Sequence, residues 1–212
     1  LWTDSRYFLQ AAQQLKGTEI KLYKEMLPET PSISAFLSTQ LTPGDAVGID
    51  GKMFSAEEVE RMQAELQKCQ IKVKSISDPL DKLWTDRPPM PEAPAFIYET
   101  QYAGKSSIEK IAIIRKELKK CNAKALFLSA LDEIAWTLNL RGNDVHCNPV
   151  LVSYLLIEEN ETHYFIQPQK ITAEVATYMK ETGVNLHTYE EAEAYLSRIS
   201  VESLLLNPAK TN

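Results

Sequence analysis

The segment from Asn139 to Pro149, NLRGNDVHCNP, brings together side chains that could take part in chemistry. Arg141 could bind a carboxylate through two hydrogen bonds, and His146 could change its charge near neutral pH. Gly142 permits a turn. Apolar segments flank the stretch on both sides, so its composition also fits a polar, solvated loop between a helix and a buried strand. These residues alone identify no substrate.

Other chemistry-bearing patterns are weaker. His146, His163 and His187 are the only histidines, and no HExxH pair is present, so we expect no metal site built wholly within the chain. The 7 glycines are scattered, which argues against a phosphate-binding loop. The chain therefore offers no catalytic residue of its own by these criteria.

A serine nucleophile is also not predicted. The spacing of Ser107 and Lys110 matches a serine–lysine pair, but Ser106 and Glu109 explain the same region as the capped start of a helix. No GxSxG motif occurs.

The overall composition limits the class of protein. Among the 212 residues, 44% are hydrophobic and 25% are charged, which is ordinary for a globular protein. A net charge of −6 argues against a nucleic-acid partner, and no apolar run reaches the length of a membrane span. No signal peptide is recognisable, and the three cysteines are widely spaced, so we expect reduced thiols and a cytoplasmic protein.

The first part of the chain alternates helices and strands. LWTDS reads as the end of a strand, and RYFLQAAQQL and TPSISAFLSTQL predict helices. AVGID predicts a short strand, and IKVKSI predicts a strand with one wet face. Between them, Ser55 and Glu58 form a capping box that opens a helix with Met62 and Leu66 on its core-facing side.

A proline-rich segment follows. DRPPMPEAP holds four prolines between positions 88 and 94, and proline lacks the amide that helices and central strands require. We therefore predict a first domain at 1–86, a stiff linker at 87–94 and a second domain at 95–212.

The second part mixes strands and helices. Ser106 and Glu109 open one helix and Thr188 and Glu191 another, each as a capping box. VLVSYLLI and THYFIQ read as a β-hairpin, and Gly183 closes the helix TAEVATYMKETG. AKALFLS and SLLL predict further strands, and LDEIAWTL a short helix. The prediction is an α/β fold with a mixed sheet and helices on both faces.

Several long motifs resemble the Xaa-Pro aminopeptidases (aminopeptidase P) of the creatinase/prolidase group. They are LWTDSRYFLQAAQQL, LDKLWTDRPPMP, YAGKSSIEKIAIIRKEL, SALDEIAWTLNLRGNDVHCNPVLVSYLLI and LLLNPAKTN. The resemblance implies two related, ribonuclease H-like domains of creatinase N-terminal type, the first truncated at its start. It also implies a missing C-terminal catalytic domain that binds two divalent metals, often manganese, through two Asp, one His and two Glu.

The resemblance further implies a function. The full-length enzyme would remove the residue that precedes proline at a peptide's N-terminus, and this chain would be its non-catalytic portion, shaping substrate access and oligomer assembly. Its partners would be the catalytic domain, a peptide with proline second, and a second copy of the chain. The alternative is a peptidase-like module that binds peptides or proteins without catalysis.

The resemblance also suggests which residues to examine. Asn139, Arg141 and Asp144 fit the family pattern and, with His146, become candidates for positions near the substrate. His146 stands where many members have an apolar or aromatic residue. Arg6 and Tyr7 fit the pattern of the first part and are candidates for a contact between domains or subunits.

Overall fold

The structure, a computed structural model, describes residues 1–212. The chain forms two compact units, Leu1–Leu83 and Trp84–Asn212. Each unit has a hydrophobic core of its own. None of the helices combines the length and the apolarity that crossing a lipid bilayer would require.

The first unit contains three helices and two pairs of short parallel strands. Its elements are β1 (Trp2–Thr3), α1 (Phe8–Gln14), β2 (Tyr23–Lys24), α2 (Ile33–Gln40), β3 (Ala46–Ile49), α3 (Ala56–Gln67) and β4 (Lys72–Ser75). β1 pairs with β2, and β3 pairs with β4. Met62 and Leu66 of α3 pack with Ile49 and Ile71, as the helical spacing of the sequence predicts.

The second unit is larger and is built on a five-stranded sheet. Its helices are α4 (Thr100–Ala103), α5 (Ser107–Lys120), α6 (Leu131–Leu138), α7 (Ala173–Glu181) and α8 (Glu191–Leu196). Its strands are β5 (Phe96–Ile97), β6 (Ala125–Leu128), β7 (Leu140–Arg141), β8 (Ser153–Glu158), β9 (Thr162–Ile166), β10 (Asn185–His187) and β11 (Leu204–Leu205).

The main sheet is mixed. Its strand order is β10-β9-β8-β6-β11, with β8 antiparallel to both neighbours and the outer pairs parallel. The predicted hairpin is confirmed as β8 and β9. A separate antiparallel pair, β5 with β7, brings residues 96–97 beside residues 140–141.

Helices cover both faces of the sheet, as predicted. Successive residues of a strand point to opposite faces. Leu155 and Ile157 therefore join a core with residues of α5, α6 and α7, while Leu156 lies on the other face with Phe165 and with Ala192 of α8.

The ends of the helices follow local sequence rules. The capping boxes at Ser55 and Ser106 are both confirmed. Gly183 ends α7 with φ of 70°, and the bonds from Gly183 N to Lys180 O and from Val184 N to Met179 O form a Schellman motif. This motif turns the chain directly into β10.

The third predicted capping box is wrong. Glu191 does accept hydrogen bonds from the backbone N–H and the hydroxyl of Thr188. The return bond is absent, because the backbone N–H of Glu191 donates to the carbonyl of Thr188 instead. Helix α8 accordingly begins at Glu191 rather than next to Thr188.

Candidate functional site

The chain reverses direction at Asn139, where α6 ends. Asn139 has φ of 51°, in the left-handed region that asparagine tolerates better than most residues. Its side chain is buried, with Oδ1 accepting from Lys110 Nζ at 2.5 Å and Nδ2 donating to the Lys105 carbonyl at 2.9 Å. Its backbone carbonyl accepts from Tyr98 at 2.7 Å. Asn139 thus joins α6 to the start of α5 and to the segment after β5.

Lys110 is the buried partner that the sequence did not single out as a site residue. Its ammonium donates to the Trp136 carbonyl at 2.8 Å and lies 4.6 Å from the centre of the Trp136 ring. Burial lowers the pKa of Lys110, and the positive charge of Arg141 lowers it further. The neighbouring Ser107 hydroxyl bonds the Tyr178 hydroxyl at 2.6 Å, so Ser107 and Lys110 form no serine–lysine pair.

Arg141 lies at the surface end of this cluster and is half-buried. Its Nη1 donates to the carbonyls of Ala135 and Leu140, where a cation is favoured near the C-terminal end of α6. The guanidinium also lies 4.7 Å from the centre of the Tyr98 ring. These contacts hold the guanidinium in one orientation, with Nη1 donating to the two backbone carbonyls.

Gly142 is needed for close packing rather than for a turn with positive φ. A Cβ atom at this position would lie 2.1 Å from Leu151 Cδ2 and 2.7 Å from Leu151 Cγ. Leu151 is 3% exposed and belongs to the main core of the unit. The segment after β7 can therefore approach Leu151 only where no side chain intervenes.

Asp144 has its side chain in the interior. Its Oδ2 accepts from Lys170 Nζ and from the backbone N–H of Val152 at 2.6 Å, and the Asp144 and Lys170 side chains are both 0% exposed. Its Oδ1 has no hydrogen-bond partner. This pair ties the loop to Lys170, which lies in a 3₁₀ turn at Pro168–Lys170.

His146 lies at the exposed tip of the same loop. The backbone N–H of Asn148 donates to the Val145 carbonyl at 3.1 Å, which closes a turn with His146 and Cys147 at its centre. Cys147 has φ of 59°, a left-handed conformation that is energetically unfavourable for a residue with a Cβ atom. Of the four candidates near the substrate, the structure brings Asn139 and Arg141 together and places Asp144 inside and His146 at the tip.

Arg6 and Tyr7 lie in the first unit, and both are exposed. Arg6 makes a two-bond contact with Asp4, from Nε to Oδ1 at 3.0 Å and from Nη2 to Oδ2 at 2.8 Å. The Arg6 guanidinium holds the pKa of the Asp4 carboxyl at about 2, below its ordinary 3.8. Arg6 also lies 5.7 Å from the centre of the Tyr7 ring.

A second polar cluster lies on the α8 face of the sheet. Glu158 and Glu161 point their carboxylates at Nε2 of His163, with Oε2 atoms at 3.0 and 3.2 Å. The Tyr195 hydroxyl lies 3.0 Å from the same nitrogen, and His187 Nε2 lies 3.0 Å from His163 Nδ1. Burial raises the pKa of Tyr195, and the Glu158 and Glu161 charges raise it further.

This cluster was not predicted from the sequence, because its members match no known spacing motif. A usable signal was present in the predicted hairpin. Leu156 pairs with His163, so alternation places residues 156, 158, 161 and 163 on one face. The turn of the hairpin then brings both glutamates beside the histidine.

Comparison with known proteins finds similarity along nearly the whole chain. Sequence profiles of the creatinase/prolidase N-terminal domain match residues 1–83 and residues 86–212. Aminopeptidase P2 of Arabidopsis thaliana is 34% identical over 100% of this chain and 30% of its own length. A probable Xaa-Pro aminopeptidase P of Sordaria macrospora is 37% identical over 90% of this chain and 31% of its own length.

A solved structure shares the fold. The X-prolyl aminopeptidase from Caenorhabditis elegans, described as a cytosolic enzyme with a di-nuclear active site, superimposes with a TM-score of 0.87 and 30% identity. The match covers 92% of this chain and 32% of that one. The chain thus spans about a third of the length of these relatives.

Proposed function

The chain belongs to the creatinase/prolidase N-terminal domain family, and we propose that it is the non-catalytic N-terminal portion of a longer Xaa-Pro aminopeptidase. The observation that carries the proposal is the continuous likeness of the chain to enzymes of that name, over 100% of this chain and 30% of the relative in the Arabidopsis case. The full-length protein would remove an N-terminal residue that precedes proline.

The catalytic domain would lie outside this chain and would supply the chemistry. The related Caenorhabditis enzyme is described as having a di-nuclear active site. Two divalent ions, for which we propose manganese, would activate the attacking water and polarise the peptide carbonyl. In this arrangement residues 1–86 and 95–212 are two related domains joined by the proline-rich segment 87–94.

The role of this chain would be to shape access to that catalytic domain and to support assembly with a second copy. Arg141 is the residue best placed for contact with a peptide. Its side chain is half-buried, its guanidinium is held in one orientation by its contacts, and the backbone carbonyls accept from Nη1 alone. Such a guanidinium can bind a carboxylate or carbonyl oxygen with little loss of side-chain entropy. Asn139 would position it through the shared contact with Tyr98.

Arg6 and Tyr7 would serve a different contact. Both side chains are exposed in the first unit, where Asp4 orients the Arg6 guanidinium. We assign them to an interface between domains or between subunits. The related enzyme is described as cytosolic, and we propose a cytoplasmic location for this protein as well.

Peptidase assays on two samples test the main proposal. The full-length protein should cleave a peptide with proline second in the presence of Mn²⁺, whereas the 212-residue chain should not. Cleavage by the purified 212-residue chain, stimulated by Mn²⁺, would contradict the proposed division of labour.

The role of Arg141 needs its own test in the full-length protein. Arg141→Ala should lower kcat/KM by about tenfold or more, the loss expected for a charged hydrogen bond to substrate, with a smaller effect on the melting temperature. Arg115→Ala is the matched control, because the Arg115 guanidinium also donates to backbone carbonyls, at Glu158 and Glu161. If Arg141→Ala changes only the melting temperature, as we expect for Arg115→Ala, Arg141 is structural.

The alternative function is a peptidase-like module that binds peptides or proteins without catalysis. One observation favours it: Trp136 is 48% exposed beside a shallow surface depression lined by Leu126 and Leu128. The identity of the residues at the metal-binding positions of the full-length protein decides between the two. Replacement of those ligands, together with peptide binding and no cleavage, would support the alternative.

A further inference from the structure

The cluster around His163 has a geometry set by the hairpin and by the helix packed on it. His163 on β9 is 4% exposed, whereas the Glu158 and Glu161 side chains at the turn are 21% and 64% exposed. The imidazole therefore lies at the bottom of the cluster, with the two carboxylates between it and the solvent. An ion could reach the nitrogen from the turn without opening the core.

Hydrogen bonding alone leaves this arrangement poorly satisfied. Nε2 of an imidazole carries at most one hydrogen, yet two carboxylate oxygens and the Tyr195 hydroxyl lie 3.0 to 3.2 Å from it. The three possible ligand atoms of Glu158, Glu161 and His163 lie within 4.8 Å of one another. Two negative charges at this separation repel each other, and that repulsion falls when a cation lies between them.

The separations also match the edges of a metal coordination shell. With metal–ligand bonds of about 2.0–2.1 Å, neighbouring ligand atoms lie about 3.0 Å apart in an octahedron and about 3.3 Å apart in a tetrahedron. The Nε2 to Oε2 distances are 3.0 Å for Glu158 and 3.2 Å for Glu161. The third edge, between the two carboxylates, is no longer than 4.8 Å, so movement of the two partly exposed glutamates can bring it to the length that either geometry requires.

We propose that Glu158, Glu161 and His163 form a binding site for one divalent metal ion, with zinc as the ion that this donor set fits best. One imidazole nitrogen and two carboxylate oxygens are typical zinc ligands, and they leave a fourth position for water. Among the divalent ions that such N/O sites take, zinc binds more tightly than manganese or iron.

A neighbouring side chain can accept the hydrogen that metal binding leaves on the other ring nitrogen of His163. If Nε2 binds the ion, its hydrogen moves to Nδ1, which then donates to His187 Nε2 at 3.0 Å. His187 is fixed in turn by contact with the Phe165 ring, at 4.9 Å between centres. The Tyr195 ring covers the His163 ring from α8 at 4.8 Å.

Zinc titration of the 212-residue chain against a chromophoric chelator tests the proposal. The chain should carry Cys121→Ser and Cys147→Ser, because both thiols are exposed and could bind zinc themselves. We expect one equivalent of zinc bound. Glu158→Gln and Glu161→Gln, which alter partly exposed side chains and leave His163 in the core, should each weaken binding by about tenfold or more.

The matched control is Glu159→Gln, in the same turn. Glu159 contributes to an ion pair with Lys119 at 3.5 Å and is not part of the cluster, yet its substitution removes the same charge. Zinc binding by this variant should stay within about twofold of the parent chain. Equal weakening in all three glutamine variants, or zinc binding unaffected by Glu158→Gln and Glu161→Gln, would overturn the proposal, as would no zinc binding by the parent chain.

Discussion

The buried ion pair between Asp144 and Lys170 offers a direct test of how the Asn139–Pro149 loop is held. Both side chains are 0% exposed, and Asp144 Oδ2 accepts from Lys170 Nζ and from the Val152 backbone N–H. Because Asp144 Oδ1 has no partner, the carboxylate depends on these two donors. Lys170→Met removes the charged donor while keeping most of the side-chain volume.

The expected cost is large because a buried charge is left uncompensated. Breaking such a pair from one side costs about 3–5 kcal/mol. In a protein of this size that corresponds to a fall in melting temperature of about 6–20 °C. Asp144→Asn/Lys170→Met contains no buried charge and keeps an acceptor for Val152 N–H, so it should recover about 2 kcal/mol relative to the sum of the two single variants.

Urea unfolding combined with native-state hydrogen exchange measures the loss of stability in the second unit, which contains Asp144 and Lys170. Amides of β8 and β9 should lose protection in Lys170→Met, whereas amides of α3 in the first unit serve as an internal reference. Lys180→Met, on the exposed side of α7, is the matched control and should change stability by no more than about 0.5 kcal/mol. Single variants that each cost less than about 1 kcal/mol and add without coupling would refute the reasoning.

Two further predictions concern local contacts. Gly142→Ala should destabilise the chain by about 1–3 kcal/mol, because its Cβ would lie 2.1 Å from Leu151 Cδ2. The control Gly51→Ala, whose Cβ would have its nearest atom at 3.7 Å, should melt close to the parent temperature. Equal melting temperatures for the two variants would contradict the packing argument. The Asp4 carboxyl should titrate by NMR with a pKa of about 2 and return toward 3.8 in Arg6→Gln. Since folding lowers this pKa, the stabilisation that it provides is present above the unfolded pKa of 3.8 and is lost as the pH falls toward 2. The backbone N–H of residue 6 also donates to Asp4 and remains in Arg6→Gln, so an unchanged pKa in this variant would show that the Arg6 guanidinium is not the cause.

Local sequence rules predicted much of the fold. The capping boxes at Ser55 and Ser106 and the end of α7 at Gly183 depend on residues three to five positions apart, so their signals are contained in short segments. The hairpin of β8 and β9 was equally visible, because both strands are short apolar runs around a polar turn. The same reasoning failed at Thr188. Thr188 and Glu191 could form either a capping box or a turn in which the Glu191 N–H donates to the Thr188 carbonyl, and the backbone conformation selects the turn.

The candidate residues were found more readily than their roles. Asn139, Arg141, Asp144 and His146 were predicted as one group because they lie in one short segment that resembles the family. In the structure their side chains have different surroundings: Asn139 meets Lys110, Asp144 meets Lys170, and His146 lies at an exposed tip. These partners are 29 and 26 positions away, so no local pattern reveals them.

By itself, the sequence determined the class of the fold, the positions of most helices and strands, and the family likeness, because these depend on composition, short-range periodicity and long shared motifs. Only the tertiary structure decided which polar groups are buried and what compensates them. That choice depends on contacts across the sheet and between helices, where strand register brings Glu158, Glu161 and His163 together and buries Asp144 against Lys170. The free energy of a charge is set by its surroundings in space, and those surroundings exist only once the chain has folded.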